Sequence, residues 1–457
     1  MWFSAPIALA LLIYLLSNAG LRQRVRAVIV FSIAFFGPLL AWSNTYVGDI
    51  PWLILTMLQI ALLIPLALIP LTSGRNLFMF PFLWVGVEFL RSHFPFNGFG
   101  WGRIAFSQAD APYAQIARIG GAPLLSFFVA LIGVLLYLTF QQKIKVAILL
   151  LASLIVFTLA ATISRPSLPK RDFSFIAIQG GVPSLGLDFN SRATQVFENH
   201  LRTTVDYLTS HARKPQVILW PENSIDVDPF KDSIVRDQLQ SVADEFNIPF
   251  VVGAVLQHGP NFQNASILWE PQRGPTTIYI KRHLTPFGEY IPWRKIAEIV
   301  SPYAKKVVDF VPGNRIVIHR VGKAKFAPII CFELLDDASG RAMAKQSNAI
   351  VVQTNSATFG LTPESVQQLG ITRIRSIEHQ RYSVSISTSG VSAVIDPRGR
   401  VTHLTGQNQR AVIDSAIGLL DSVSIADRYG SHIEAVLILF PLILIPVSWI
   451  QRRRIRR

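Results

Sequence analysis

Hydrophobic positions follow two different patterns along this chain. Near-continuous apolar runs cover residues 3–21, 27–46, 51–71, 120–140, 146–163 and 434–450. Each approaches the roughly 20 residues that a membrane-spanning helix needs. A shorter run at 77–90 carries Glu88 near its end and reads as a tilted or partly re-entrant segment. The pattern predicts a polytopic helical membrane bundle over 1–165, and a last membrane helix with a basic tail over 434–457. The first run lacks the basic leader of a signal peptide and reads as a retained span.

Between 166 and 433 the pattern changes to short β-branched runs alternating with amphipathic stretches. Strands are predicted at 173–179, 216–222, 249–257, 266–270, 276–282, 326–334, 349–355 and 382–396. Phe197, Leu201, Val205 and Leu208 recur at helical spacing within 191–212, and further helices are expected near 231–246 and 363–380. Strands alternating with helices imply an α/β domain with both sheet faces covered. The long loop 284–314 interrupts this rhythm, and loops of that length are usually functional or mobile.

Composition agrees with the membrane reading. Of 457 residues 50% are hydrophobic and only 16% charged, with a mean hydropathy of +0.38. Soluble domains carry about 25% charged residues. The net charge of +15 does not mark a nucleic-acid binder, because five arginines lie in the terminal QRRRIRR and others in short loops between apolar runs. No basic stripe interleaved with stacking aromatics accompanies them. With alternating spans, Arg22–Arg26, Arg75, Lys143, Lys145 and the terminal arginines share one side, which the positive-inside rule makes cytoplasmic. The 166–433 domain is then extracytoplasmic.

Three strand ends offer reactive groups: Glu222 after VILWP, Lys281 after TIYI and Cys331, the single cysteine, after APII. A thiol near its usual pKa of about 8.5 needs a base or a positive field to react. A desolvated glutamate supplies the base, and an ammonium stabilises thiolate and oxyanion. Taken singly, each has a bland alternative: a packed cysteine, a helix-capping glutamate, a solvated lysine. The nine histidines form no HExxH or clustered ligand pattern, so neither metal nor cofactor is expected.

WPEN (220–223), YIKRHLTPFGEYIPW (279–293), ICFE (330–333), NSATFG (355–360), IQGGVP (178–183), IDPRGR (395–400) and EFLRS…GFGW (88–101) settle that choice as a set. They resemble the apolipoprotein N-acyltransferases, the membrane branch of the nitrilase superfamily, the first four as ordered signatures. The resemblance implies an αββα sandwich for 166–433, with Glu222 as general base, Lys281 as oxyanion-stabilising cation and Cys331 as nucleophile. It adds Glu289, Glu333 and Phe332 as supporting residues, Phe332 standing where the family often has tyrosine. Phe287, Tyr290, Trp293, Asn355 and Phe359 become candidates for substrate or lid contacts. The chain departs from the family at Ser356 and Thr358, where NDAWFG has Asp and Trp. It also lacks the usual loop tryptophan near Leu187–Phe189, and shows seven spans where many members have eight.

The implied reaction takes a fatty acyl chain from a membrane phospholipid, holds it as a Cys331 thioester, and passes it to the α-amine of a diacylglyceryl-cysteine on an apolipoprotein, with the chain acting as a monomer. A membrane-anchored amidase of the same superfamily, passing its thioester to water, is the nearest alternative. A catalytically silent lipid-binding protein is the second.

Overall fold

The structure is a computed structural model and describes residues 1–71, 74–186, 194–305 and 307–455. The stretch Leu187–Phe189 and the final two arginines lie outside them. Two compact units divide the chain. One groups Met1–Ala41, Trp52–Pro166 and Ser424–Arg457, and the other groups Trp42–Pro51 with Ser167–Val423.

The first unit is helical. Its elements are α1 (Ser4–Leu16), α2 (Leu21–Leu39), α3 (Asp49–Leu63), α4 (Gly74–His93), α5 (Ala117–Phe140), α6 (Ile144–Ile163) and α12 (Ile425–Ile455). Each expected apolar run falls on one of them. Among the described residues, Asp49–Ala67, Ala114–Phe140 and Ile144–Ile163 are long and apolar enough to cross a membrane, and Ser4–Leu16 is a shorter apolar helix. α5 lies at the centre of the bundle, packed on α1, α4, α6 and α12. Accordingly 67% of its apolar stretch is buried, against 17% for α6, whose Leu149, Val156 and Ile163 face outward. Apolar side chains facing out on this scale match a lipid solvent and not water.

Three boundaries differ from the sequence expectation. The run 27–46 stops being α-helical at Leu39, and Ala41–Asn44 form a 3-10 turn. Residues Trp42–Pro51, expected within the 1–165 bundle, group with the second unit. The segment 77–90 sits inside a full 20-residue helix, α4. Glu88 does not shorten that helix, because its charge is satisfied internally. Trp84 Nε1 and Ile104 N donate to Glu88 Oε1 at 3.0 and 2.8 Å, and Arg103 lies 3.8 Å from Oε2. Buried ionisable groups in a membrane bundle pair in this way.

The second unit contains β1 (Phe173–Gln179), α7 (Gln195–Ser210), β2 (Ile218–Leu219), α8 (Ser233–Phe246), β3 (Phe250–His258), β4 (Asn261–Glu270) and β5 (Gly274–Ile280). It continues through α9 (Arg294–Val300), β6 (His319–Val321), β7 (Ala324–Ile330), α10 (Asp337–Ala344), β8 (Ala349–Thr354), α11 (Glu364–His379), β9 (Ser383–Ser387), β10 (Ala393–Ile395), β11 (Val401–Leu404) and β12 (Ala411–Ile417). One six-stranded sheet runs β12-β1-β2-β3-β4-β5, the other β11-β10-β9-β8-β7-β6. Each has a parallel centre, β1-β2-β3 or β7-β8-β9, with antiparallel flanks.

The layering follows from strand alternation. Phe173, Phe175 and Ala177 point between the sheets, meeting Phe326, Val351 and Val384. Ile176 and Ile178 point the other way, under Phe197 and Leu208 of α7 and Leu239 and Phe246 of α8. Leu201 and Val205 pack against the same core, so the helical stripe seen in the sequence is the buried face of α7. α10 and α11 lie on the second sheet. The result is an α–β–β–α sandwich. The expected single strand 382–396 is in fact β9 and β10, an antiparallel pair, because Gly390 and its serine neighbours turn the chain between them.

Candidate active site

Strand ends from both sheets deliver the three candidate groups. β2 runs out at Leu219, and Trp220-Pro221 carry the chain to Glu222. This approach requires Gly253 on neighbouring β3, where a Cβ would lie 2.3 Å from Pro221 O and 2.7 Å from Glu222 Cα. β5 delivers Lys281, and the returning loop passes against it. Gly313 N donates to Lys281 O at 2.8 Å, and a Cβ on Gly313 would meet Ile280 O at 2.4 Å. β7 ends at Ile330, and Cys331 opens a 3-10 turn over Cys331–Leu335 with φ +50°. A left-handed non-glycine residue is strained, and such strain concentrates at functional sites. Here it turns the sulfur off the strand axis.

The groups converge. Lys281 Nζ lies 2.8 Å from Glu289 Oε2 and 3.5 Å from Glu222 Oε1. Asn264 on β4 bridges the two carboxylates, donating through Nδ2 to Glu222 at 2.7 Å and Glu289 at 2.9 Å. Thr285 N donates to Glu289 Oε2 at 2.8 Å. Glu222, Lys281, Glu289 and Asn264 are all buried. Cys331 is partly exposed, its thiol hydrogen-bonds Glu222, and Gln368 Nε2 of α11 lies 3.6 Å from its Sγ.

Charge in this cluster follows from burial and partners. Burial raises the Glu222 carboxyl above its ordinary value against the pull of Lys281. Burial acts on Glu289 in the same direction, but Lys281 and the donated hydrogen bonds outweigh it and hold that carboxyl below the usual range. For Lys281, burial works against the charge, and the Glu289 and Glu222 carboxylates more than compensate, so the ammonium persists. Burial and the Glu222 charge push the Cys331 thiol well up, with Lys281 opposing. The resting sulfur is therefore a thiol, poised to lose its proton to a neighbouring base of elevated basicity.

Glu333 does not line this cluster; it braces it. Tyr279 OH, Arg282 N and His283 N donate to Oε1 at 2.7, 2.7 and 3.2 Å, and Ile330 N donates to Oε2 at 3.0 Å. One carboxylate thus ties the segment after Lys281 to the strand before Cys331. Arg375 of α11 does the same from behind, donating to Leu334 O at 2.7 Å while paired with Asp337 and Glu378 at 2.5 Å. All four partners of Glu333 are donors, so Glu333→Gln sets an amide NH₂ against them. Each orphaned donor is worth about 1–3 kcal/mol. A loss of about 2–4 kcal/mol in unfolding free energy is expected, read by denaturant melts, with activity falling in parallel.

The remaining expected residues divide. Phe332 is buried, its ring 5.5 Å from that of His283. Asn355 Oδ1 accepts from Ala357 N and Thr388 Oγ1 at 3.1 and 2.7 Å, which shapes the NSATFG loop. Phe359 stacks edge-on to Trp42 at 5.0 Å, and Trp42 Nε1 donates to Gln367 Oε1 at 3.2 Å. Tyr290 is half-buried, whereas Phe287 is 54% and Trp293 71% exposed. The 284–314 loop is pinned at its base, where Phe310 N donates to Glu289 O at 2.7 Å and Val311 N to Phe262 O at 2.7 Å. Its tip carries exposed Ile296 and Ile299 on α9. Sequence reasoning missed Asn264, Gln368 and Glu364. The last two share one face of α11 by their four-residue spacing, a signal visible only once the helix is known to face the sulfur.

A paired-sheet sandwich with a strand-end thiol beside a carboxylate–ammonium cluster is the architecture of a nitrilase-type acyl-transfer domain. Residues 190–426 match the carbon-nitrogen hydrolase family, and residues 1–135 match the apolipoprotein N-acyltransferase N-terminal domain. An apolipoprotein N-acyltransferase from Mycolicibacterium smegmatis is 32% identical over 96% of this chain and 80% of its own length. One from Geobacter metallireducens is 28% identical over 93% and 87%. This chain belongs to the apolipoprotein N-acyltransferase family. Among solved structures, an amidase from Nesterenkonia sp. is 15% identical, with 58% of this chain and 96% of that one covered at a TM-score of 0.43.

Proposed function

We propose that this membrane acyltransferase N-acylates apolipoproteins, carrying a fatty chain from phospholipid to lipoprotein on Cys331. The observation that carries the reading is the convergence of the partly exposed Cys331 with buried Glu222 and Lys281. It occurs in a chain similar along 96% of its length to a protein named for that activity.

In the first half-reaction Glu222 takes the thiol proton as the sulfur attacks the ester carbonyl of a phospholipid. The oxyanion forms near the Lys281 ammonium, whose charge is fixed in place by Glu289. Collapse breaks the ester C–O bond, and the departing glycerol oxygen takes the proton from Glu222. A lysophospholipid leaves and a thioester remains. In the second half-reaction the neutral α-amine of a diacylglyceryl-cysteine attacks the thioester. The C–S bond breaks, the amine proton returns through Glu222 to sulfur, and an amide is released.

The exposed apolar tip formed by Phe287, Trp293, Ile296 and Ile299 supports a lipid donor. Aromatic and aliphatic side chains of this kind settle at a membrane–water boundary. Each CH₂ kept out of water is worth about 0.8 kcal/mol, so an acyl ester is best taken where it lies. In this reading the catalytic domain faces away from the cytoplasm of a bacterial inner membrane and the chain acts as a monomer.

The test is incubation of the purified full chain with labelled phospholipid and a diacylglyceryl peptide. The expected products are N-acyl peptide and lysophospholipid in equal amounts. Free fatty acid or ammonia alone would replace this reading with that of a hydrolase.

A further inference from the structure

A further carboxyl bears on the Cys331 sulfur electrostatically, and the reaction as described leaves it unused. Glu364 is the first residue of α11 and is only 2% exposed. One turn further along the same face, Gln368 reaches Cys331 Sγ at 3.6 Å. The Ser356 hydroxyl hydrogen-bonds the Glu364 carboxyl, yet its Oε2 is buried with no hydrogen-bond partner. The charged groups bearing on it are carboxylate or thiol in kind: Glu222 after β2 and Cys331 after β7. Glu222 and Glu289 share Lys281, whereas among the described residues no cation pairs with Glu364. A buried carboxyl normally has a charged or hydrogen-bonded partner for each oxygen. The missing partner, on the α11 side of the sulfur, is an acceptor while the carboxyl is protonated and a donor once it is ionised.

We propose that Glu364 is the acceptor-binding carboxyl, receiving the α-ammonium of the diacylglyceryl-cysteine beside the Cys331 thioester. This deepens the acyl-transfer reading and rests on it. The chemistry separates the two half-reactions. A negative charge at Glu364 would oppose thiolate formation, so a protonated carboxyl suits attack on phospholipid. Burial holds Glu364 at about 8, matching an α-amine near 7.7–8.0. Near neutral pH it is therefore mostly neutral until a cation arrives. When the ammonium of the acceptor approaches a deprotonated Glu364, the N–H proton passes to the carboxylate at little energetic expense. That leaves a neutral amine and a neutral carboxyl within reach of the thioester carbon. The amine lone pair then forms the C–N bond as the C–S bond breaks, a second N–H proton passes through Glu222 to the departing sulfur, and Glu364 later releases its own proton to solvent. Ser356 and Thr358 lie in the loop that leads into this helix.

The test separates the half-reactions in the full chain with labelled phospholipid. Glu364→Gln keeps size and neutrality, so the acyl adduct on Cys331 and the lysophospholipid burst are expected within about twofold of the unaltered protein. Transfer to a diacylglyceryl peptide is expected to fall about tenfold or more in kcat/KM, with a raised KM, the scale of a hydrogen bond to a charged group. Its rate should come to follow the titration of the α-amine alone, rising with pH through about 8. Glu364→Asp should recover part of the transfer. Hydroxylamine, an amine uncharged at assay pH, should discharge the Glu364→Gln thioester at the normal rate. An unchanged peptide KM and rate in Glu364→Gln, or loss of the adduct itself, overturns this assignment. If the unaltered protein forms no adduct from phospholipid, the acyl-transfer reading fails first and takes this one with it.

Discussion

Cys331→Ala is expected to abolish the acyl adduct and to lower lipopeptide N-acylation by at least about 10⁴-fold, the scale seen when a covalent nucleophile is removed. The residual rate has no route through a thioester, because this chain has no second sulfur nucleophile: Cys331 is its single cysteine. Folding should survive. The residue is partly exposed, its backbone sits at φ +50°, and alanine bears that strain about as well as cysteine does. Intact-mass measurement of the adduct, with a thermal melt on the same sample, reads both halves. An adduct that persists on another residue would sink the assignment.

Lys281→Met should damage stability and activity together. Lys281 holds Glu289 at 2.8 Å and Glu222 at 3.5 Å in the buried cluster. Removing one partner of a buried ion pair is worth about 3–5 kcal/mol, and loss of the oxyanion-facing charge about a further 10²–10³ in rate. The pH dependence has a definite sign. In the unaltered protein Glu289 titrates below its unfolded value, so its contribution is full above about pH 4.3 and fades only as pH falls through the lower folded value. Without Lys281, both carboxyls titrate above the unfolded value in the folded state, so stability is lost as pH rises. The gap between variant and parent should therefore widen from about pH 4 to pH 8. A gap constant across that window would show that the ammonium does not pair with both carboxylates.

What the sequence could reveal depended on how local its physical cause was. The runs that became α1 to α6 and α12 were legible because a membrane helix is defined by length and apolarity along contiguous residues. The α7 stripe of Phe197, Leu201, Val205 and Leu208 was legible for the same reason. Strand ends carrying Glu222, Lys281 and Cys331 could be found, since each follows a β-branched run. Their convergence could not be derived from spacing, because it depends on Gly253 and Gly313 admitting backbone close to Glu222 and Ile280. Glu333 looked like a site residue by its place beside the cysteine. Only its four donors, drawn from two chain segments about 50 residues apart in sequence, reveal a brace. Asn264 left no sequence trace at all: an asparagine in a strand start is ordinary until its amide is seen between two carboxylates.

The decapeptide Trp42–Pro51 bears on how the catalytic half is to be isolated. A gene cut at residue 167 and ended at 423 follows the obvious border, yet discards the indole that covers Phe359 and holds Gln367. Such a fragment would surface with a raw socket at the foot of α11, one residue from Gln368 and three from Glu364. Grafting those ten amino acids back through a flexible tether, instead of trimming further, is the rational route to a crystallisable soluble form.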